Sequence, residues 1–132
     1  MFKDTKVFSS FSVNDIAAAK KFYGETLGVS VDEEKDMGLN LHLSGGQEVF
    51  IYPKPNHEPA TFTVLNFMVD DINKTVDELN KAGIQMEHYD MGDIKTNEKG
   101  IAGGDGSEHP GPEAIAWFKD PAGNVLAVIQ MK

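Results

Sequence analysis

A strand-like segment, an acidic cap, an amphipathic helix and a glycine occur twice in this 132-residue chain, and that repetition limits the fold more than any other feature. In the first copy, β-branched and aromatic residues run from Val7 to Val13. Such residues suit a pleated strand, and their alternation gives it two distinct faces. Asn14 or Asp15 is then placed to cap a helix over Ile16 to Leu27, with Ile16, Ala19, Phe22, Tyr23 and Leu27 at helical spacing. Gly28 follows as a left-handed C-terminal residue would. The second copy has Phe62 to Val69 as the strand, Asp70-Asp71 as the cap, and Ile72, Val76 and Leu79 as the helical stripe. Lys81-Ala82-Gly83 closes it with a basic last turn and a glycine. Val13 and Val69 lie 56 positions apart, so the chain reads as an internal duplication.

Strand candidates follow each copy. They are Val29 to Glu34, Gly38 to Leu43 and Glu48 to Tyr52 in the first, then Ile84 to Tyr89, Ala114 to Phe118 and Val125 to Met131 in the second. Ser44-Gly45-Gly46-Gln47 and Asp120-Pro121-Ala122-Gly123-Asn124 are turn sequences. The predicted order is βαβββ, twice, with modules at about 1–56 and 60–132 forming a single domain. Antiparallel meanders with a helix on one face of each sheet give an α+β architecture. Residues 90–113, with Gly100, Gly103, Gly104, Gly106 and Gly111 beside Pro110 and Pro112, show no apolar periodicity. Loops of that length are covers over a site or passive excursions, and both readings stand for this one.

Charge excludes several functions. The net charge is −9 with only 12 Lys and Arg, so no basic stripe exists to displace phosphate counterions, and nucleic acid is not an expected partner. No apolar run approaches the roughly 18 residues of a membrane span, and the first residues lack the apolar stretch of a signal peptide. Without cysteine there are no disulfides, thiol nucleophiles or thiolate metal sites, which is compatible with a reducing cytoplasm, the expected location.

Three segments carry a family resemblance. Phe11-Ser12-Val13-Asn14-Asp15-Ile16, leading to Phe22-Tyr23 and Leu27-Gly28, resembles the first-module signature of vicinal oxygen chelate proteins, the glyoxalase/bleomycin-resistance/dioxygenase superfamily. Val69-Asp70-Asp71-Ile72, leading to Leu79 and Gly83, resembles the second-module counterpart. Trp117 to Leu126 is similar to the closing turn and strand. The resemblance implies a glyoxalase-like fold in which two βαβββ modules form an incomplete barrel around a cavity. Members of that superfamily include glyoxalases, ring-cleaving dioxygenases and non-catalytic drug-binding proteins, so function must be argued from the site.

In the superfamily's metal enzymes, His, Gln or Glu side chains on the opening and closing strands hold a divalent ion. Transferred by position, the resemblance puts those sites on Phe8, Val64 and Ala127, with the fourth on or beside Ile51. None supplies an oxygen, imidazole or thiolate donor. The expectation is therefore no metal and no cofactor.

Period-two alternation predicts a pocket lining of Phe8, Ser10 and Ser12 on one strand and Val64, Asn66 and Met68 on another, with Val125, Ala127 and Ile129 beside them. The opposite faces, Val7, Phe11 and Val13 and then Leu65, Phe67 and Val69, are apolar and suit packing under helices. Aromatic and short polar side chains together fit a ligand cavity with a few orienting groups; a filled interior with bonded Ser10 and Asn66 is the other reading. His42, between Leu41 and Leu43, can face the cavity or solvent. Trp117 can stack on an aromatic or cationic ligand or belong to the core. His57 reads as a linker residue, and Glu108, His109 and Glu113 could form an improvised site. Asp15, Asp70, Asp71 and Asp120 read as cap and turn residues.

Three functions compete. The first is a metal-independent small-molecule-binding protein, which the resemblance implies would work as a homodimer. The second is a glyoxalase- or dioxygenase-like enzyme with a divalent metal at other ligand positions. The third is a metal-independent enzyme using His42, Tyr52 or His88 as acid or base, recognisable by a strongly perturbed pKa in a pocket.

Overall fold

A computed structural model describes residues 1–132. The chain divides into two compact units, Met1–Pro59 and Ala60–Lys132. In the first, β1 (Ser9–Val13) leads into α1 (Ile16–Lys20), followed by β2 (Ser30–Glu34), β3 (Gly38–His42) and β4 (Glu48–Pro53). The sheet order is β1-β4-β3-β2. In the second, β5 (Thr63–Met68) and α2 (Ile72–Lys81) precede a small hairpin of β6 (Asp90–Met91) and β7 (Ile94–Lys95). Then come β8 (Ile101–Gly103), β9 (Ala114–Lys119) and β10 (Val125–Gln130), in the order β5-β10-β9-β8. The architecture is α+β, with two four-stranded sheets, neither closed into a barrel.

The repeat has a direct physical counterpart. The Asp15 carboxylate accepts from Ala18 N at 3.1 Å, and that of Asp71 accepts from Lys74 N at the same distance. Each satisfies a backbone donor that the first helical turn leaves without a partner. Gly28 and Gly83 follow the helices with φ of 73° and 89°. At the β9–β10 turn, buried Asp120 accepts from Ala122 N, Asn124 N and Asn124 Nδ2 at 2.9, 2.9 and 3.0 Å.

Four expectations change. The helix after β1 is α-helical only to Lys20 and continues as a π-helix over Lys21–Thr26, with Leu27 N donating to Phe22 O at 2.8 Å. Ile84 to Tyr89 is not a strand. Ile84 and Met86 are buried, but the main chain there makes a single bond to β9, Glu87 N to Trp117 O at 2.8 Å, so alternating burial occurs without a ladder. The edge of the second sheet is the three-residue β8 instead. Nor are the sheets simple antiparallel meanders, since β1 pairs with β4 and β5 with β10 in parallel. Finally, Val7 precedes β1 and is 84% exposed, so it packs under no helix.

Strand register sorts the side chains. In the first sheet, Phe11, Ile51 and Leu39 form one row, and Val49 and Leu41 the next. These residues, with Val13, Phe22 and Tyr23, build the core between the sheet and its helix, where the Tyr23 ring meets Phe22 edge-on at 5.1 Å. Gly38 is indispensable to this packing: a Cβ there would lie 2.1 Å from the Ile51 carbonyl oxygen. In the second unit, Leu126, Phe118, Val128 and Ala116 are buried together with Ile72, Val76 and Leu79 of α2. Each helix thus covers one sheet face, and the other face is left for different work.

Candidate functional site

On the helix-free face of the first sheet, Ser10, Phe50, Asn40 and Asp32 make one row, Ser12 and Tyr52 a second, and Glu48, His42 and Ser30 a third. The Phe50 and Tyr52 rings stack at 6.4 Å with 15° between planes. Ser12 Oγ lies 2.7 Å from His57 Nδ1, so the linker histidine is anchored to this face. Phe8 stands before β1 and is 67% exposed. Ile51 belongs to the other face and is fully buried. The residue occupying its intended place is Phe50, which pairs with Ser10 as Ala127 pairs with Asn66. A one-residue displacement along a strand exchanges faces.

His42 does face this side, but it is engaged. Its Nε2 lies 2.6 Å from Asp32 Oδ2 and its Nδ1 3.3 Å from Glu48 Oε1. The hydrogen bond to Asp32 raises its pKa above the ordinary histidine value; partial desolvation opposes this, and the charges of Asp32 and Glu48 reinforce it. A metal ligand needs one ring nitrogen free to donate a lone pair, and here both point at carboxylates. Nowhere do three or more His, Asp or Glu side chains converge in a geometry that could hold a metal ion. Phe8, Val64, Ala127 and Phe50 likewise offer no donor atoms. These residues do not fit the divalent ion of the metal enzymes.

The helix-free face of the second sheet brings together more of the expected lining. Asn66, Ala127 and Trp117 form one row; Met68, Ile129, Ile115 and Ala102 form the next. Val64 lies at the register shift between β5 and β10, half-buried. Ala127 is fully buried, Trp117 half-buried, and Met68 75% exposed. The Tyr89 ring meets Trp117 edge-on at 5.3 Å. Burial raises the pKa of its hydroxyl, with Glu87 adding to the effect and Lys119 opposing it.

Against this face lies a cavity of about 740 Å³, within the second unit. Ala102, Ile115 and Trp117 form its apolar floor, and the loop from Gly103 to Pro112 and the β6–β7 hairpin form its other walls. The volume falls within the roughly 300–1,000 Å³ of small-molecule sites. Gly103 shapes it: with φ of 81° and a hypothetical Cβ 2.5 Å from Glu113 O, only glycine fits, and the His109 ring packs directly over it. His109 Nδ1 lies 3.2 Å from the Pro110 carbonyl oxygen, an acceptor only, so in the neutral ring the tautomer with its proton on Nδ1 makes this bond and leaves Nε2 an acceptor. Nε2 is buried and has no hydrogen-bond partner, an arrangement that costs about 1–3 kcal/mol. Lys132 Nζ donates to the His109 carbonyl oxygen. Beside it, Asp105 accepts from Ser107 Oγ at 2.6 Å and Ser107 N at 3.0 Å, and these bonds hold its carboxyl below the usual carboxylate range.

Trp117, His109 and Ile115 thus border the same cavity; the sequence offered Trp117 for stacking or core packing and His109 only as part of an improvised site with Glu108 and Glu113. Ile115 was predicted only as part of a strand, and the loop histidine carries no periodic signal. Glu113 and His109 do not form a metal-binding group, and His88 is exposed.

Comparison with known proteins agrees with this architecture. Solved structures that resemble the chain over nearly its whole length include an antibiotic-binding protein from a Streptomyces species, at 23% identity, TM-score 0.66 and 98% coverage of both chains. A glyoxalase family protein from Enterococcus faecalis has 24% identity and TM-score 0.67, covering 98% of this chain and 99% of that one. A genomically encoded fosfomycin resistance protein from Listeria monocytogenes reaches TM-score 0.69 at only 9% identity, covering 98% and 94%. At these identities the likeness concerns the fold. No curated protein sequence matches the chain. The family sequence model of the Glyoxalase/Bleomycin resistance protein/Dioxygenase superfamily matches residues 9–128, and the chain belongs to that superfamily.

Proposed function

We propose that this chain is a metal-independent small-molecule-binding protein, a single glyoxalase-like domain. The observation that carries the proposal is the cavity of about 740 Å³ on the Trp117 face, floored by apolar side chains and edged by a few polar ones. The donor-free side chains at the family's ligand positions favour binding over metal-assisted chemistry. The similar Streptomyces structure is described as an antibiotic-binding protein, which supports the same reading. Trp117 belongs to the proposed lining, with Asn66, Ala127 and Met68 beside it on the same helix-free face of the second sheet; Ser10, Ser12 and Phe50 lie on the helix-free face of the first sheet. A homodimer acting in the cytoplasm completes the proposal.

Native mass spectrometry of protein purified without chelator or affinity metal tests it. The expected species is a metal-free dimer, retaining an organic adduct or accepting one on incubation with aromatic small molecules. Near-stoichiometric zinc, nickel, manganese or iron would overturn metal independence and bring the lyase or dioxygenase reading forward.

A further inference from the structure

The geometry points to the His109 imidazole as a recognition element of the second unit's cavity, selecting a flat aromatic ligand that carries an O–H or N–H donor. The inference rests on the binding-protein reading and adds where the ligand sits and which chemical feature it must present. Three observations converge. The floor of Ala102, Ile115 and Trp117 presents apolar surface and one indole, which suits a ring. In the neutral ring the Nδ1 proton is directed to the Pro110 carbonyl oxygen, which leaves Nε2 as an acceptor. That acceptor is buried without a partner among otherwise bonded groups, and a donor brought by a ligand would satisfy it.

The loop is built to let this happen. His109 rests on Gly103, and Gly103, Gly104, Gly106 and Gly111 all have positive φ. Glycine adopts such conformations with little steric resistance, and binding then requires the ring to lift from Gly103 so that Nε2 meets the incoming group. A ligand without a donor would gain the same apolar contact but leave the nitrogen unpaired. Discrimination therefore comes from the hydrogen bond, as in sites whose buried polar groups reject analogues that cannot bond them.

The test compares 2-naphthol with 2-methoxynaphthalene, which have the same ring system and differ by the donor. Calorimetry gives affinity, and the indole N–H resonance of Trp117, the single tryptophan, reports the site. Both probes should shift that resonance, and 2-naphthol should bind about three- to tenfold more tightly, the range expected for one net hydrogen bond. In His109→Phe, which keeps a flat ring over Gly103, the difference between the two probes should vanish. Equal affinities in the unaltered protein, or a difference that survives His109→Phe, would overturn the role of His109; the first of these needs no variant to fold. Binding that shifts the Phe50 and Tyr52 rings but not Trp117 would overturn this location and leave a binding protein standing. If neither naphthalene binds, the inference fails, and the native mass spectrum decides separately whether the binding-protein reading survives.

Discussion

The two units share one topology and spend it differently. Strands β1-β4-β3-β2 and β5-β10-β9-β8 are arranged alike, and the capping aspartates Asp15 and Asp71 occupy equivalent positions. In the first unit, β2 and β3 are joined by residues 35–37 alone, and the helix-free face is stocked with internal bonds: Ser12 to His57, His42 to Asp32 and Glu48, Asn40 to Glu34. In the second, the equivalent connection between β8 and β9 runs over residues 104–113, and a further hairpin precedes β8. That added chain walls a cavity and leaves a buried histidine nitrogen unpaired. Topology is thus set by the two sheets and their helices, whereas the walls of the second unit's cavity and its unpaired histidine come from what is inserted at the edge strand.

The contrast can be broken most sharply at glycines. Gly38→Ala drives a Cβ into the Ile51 carbonyl oxygen at the start of β3; it should cost about 2 kcal/mol or more, at the upper range for a residue forced against backbone. Gly106→Ala, in the open loop of the second unit, meets nothing within 4 Å and should cost only about 1–2 kcal/mol of left-handed strain. Urea denaturation of both variants measures the difference. Equal losses would mean that the short connection is no more tightly determined than the long loop.

A smaller effect tests the likeness of the units. Asp15→Ala and Asp71→Ala should each destabilise by about 1 kcal/mol, a typical loss for an N-cap. Because α1 passes into a π-helix while α2 does not, a clearly smaller loss at Asp15 would show that the irregular helix depends less on its cap. Thermal melts of the pair decide this.

The smallest expected effect concerns charge. His42 has a raised pKa in the folded state, so its pairing with Asp32 and Glu48 contributes fully below the unfolded value of roughly 6.5 and fades as pH rises through the folded value. Asp32→Asn should move the His42 titration, followed by NMR, toward the ordinary histidine value. Stability of the unaltered protein should change little, since the group is exposed and screened by solvent. An unmoved titration would remove Asp32 as the cause.

Much of this was legible beforehand for physical reasons that can be named. Helix caps, the glycines after the helices and the Asp120 turn are local, so spacing reveals them. The π-helical segment was hidden because five-residue hydrogen bonding needs no distinctive composition. Residues 84–89 alternate like a strand because Ile84 and Met86 are buried, yet only a partner's register makes a strand, and no local pattern reports it. Ile51 was misplaced by a single position, enough to exchange a cavity wall for the core. Trp117 was visible as an aromatic near a turn, whereas His109 gains its meaning from Gly103 and Pro110, contacts that exist only in the folded loop.

The parallel pairing of first and last strands has a consequence for how the protein comes into being. In each unit the opening strand has no ladder partner until the closing strand arrives: β1 must wait for β4, and β5 for β10. During synthesis β1 therefore stays unzipped until about residue 53 has been added, after which the first unit holds all its pairing strands. The apolar β5 has the longer wait, because the chain walling the cavity is made before β10. The insertion that creates room for a ligand also lengthens the interval in which an unpaired strand is open to the wrong neighbour.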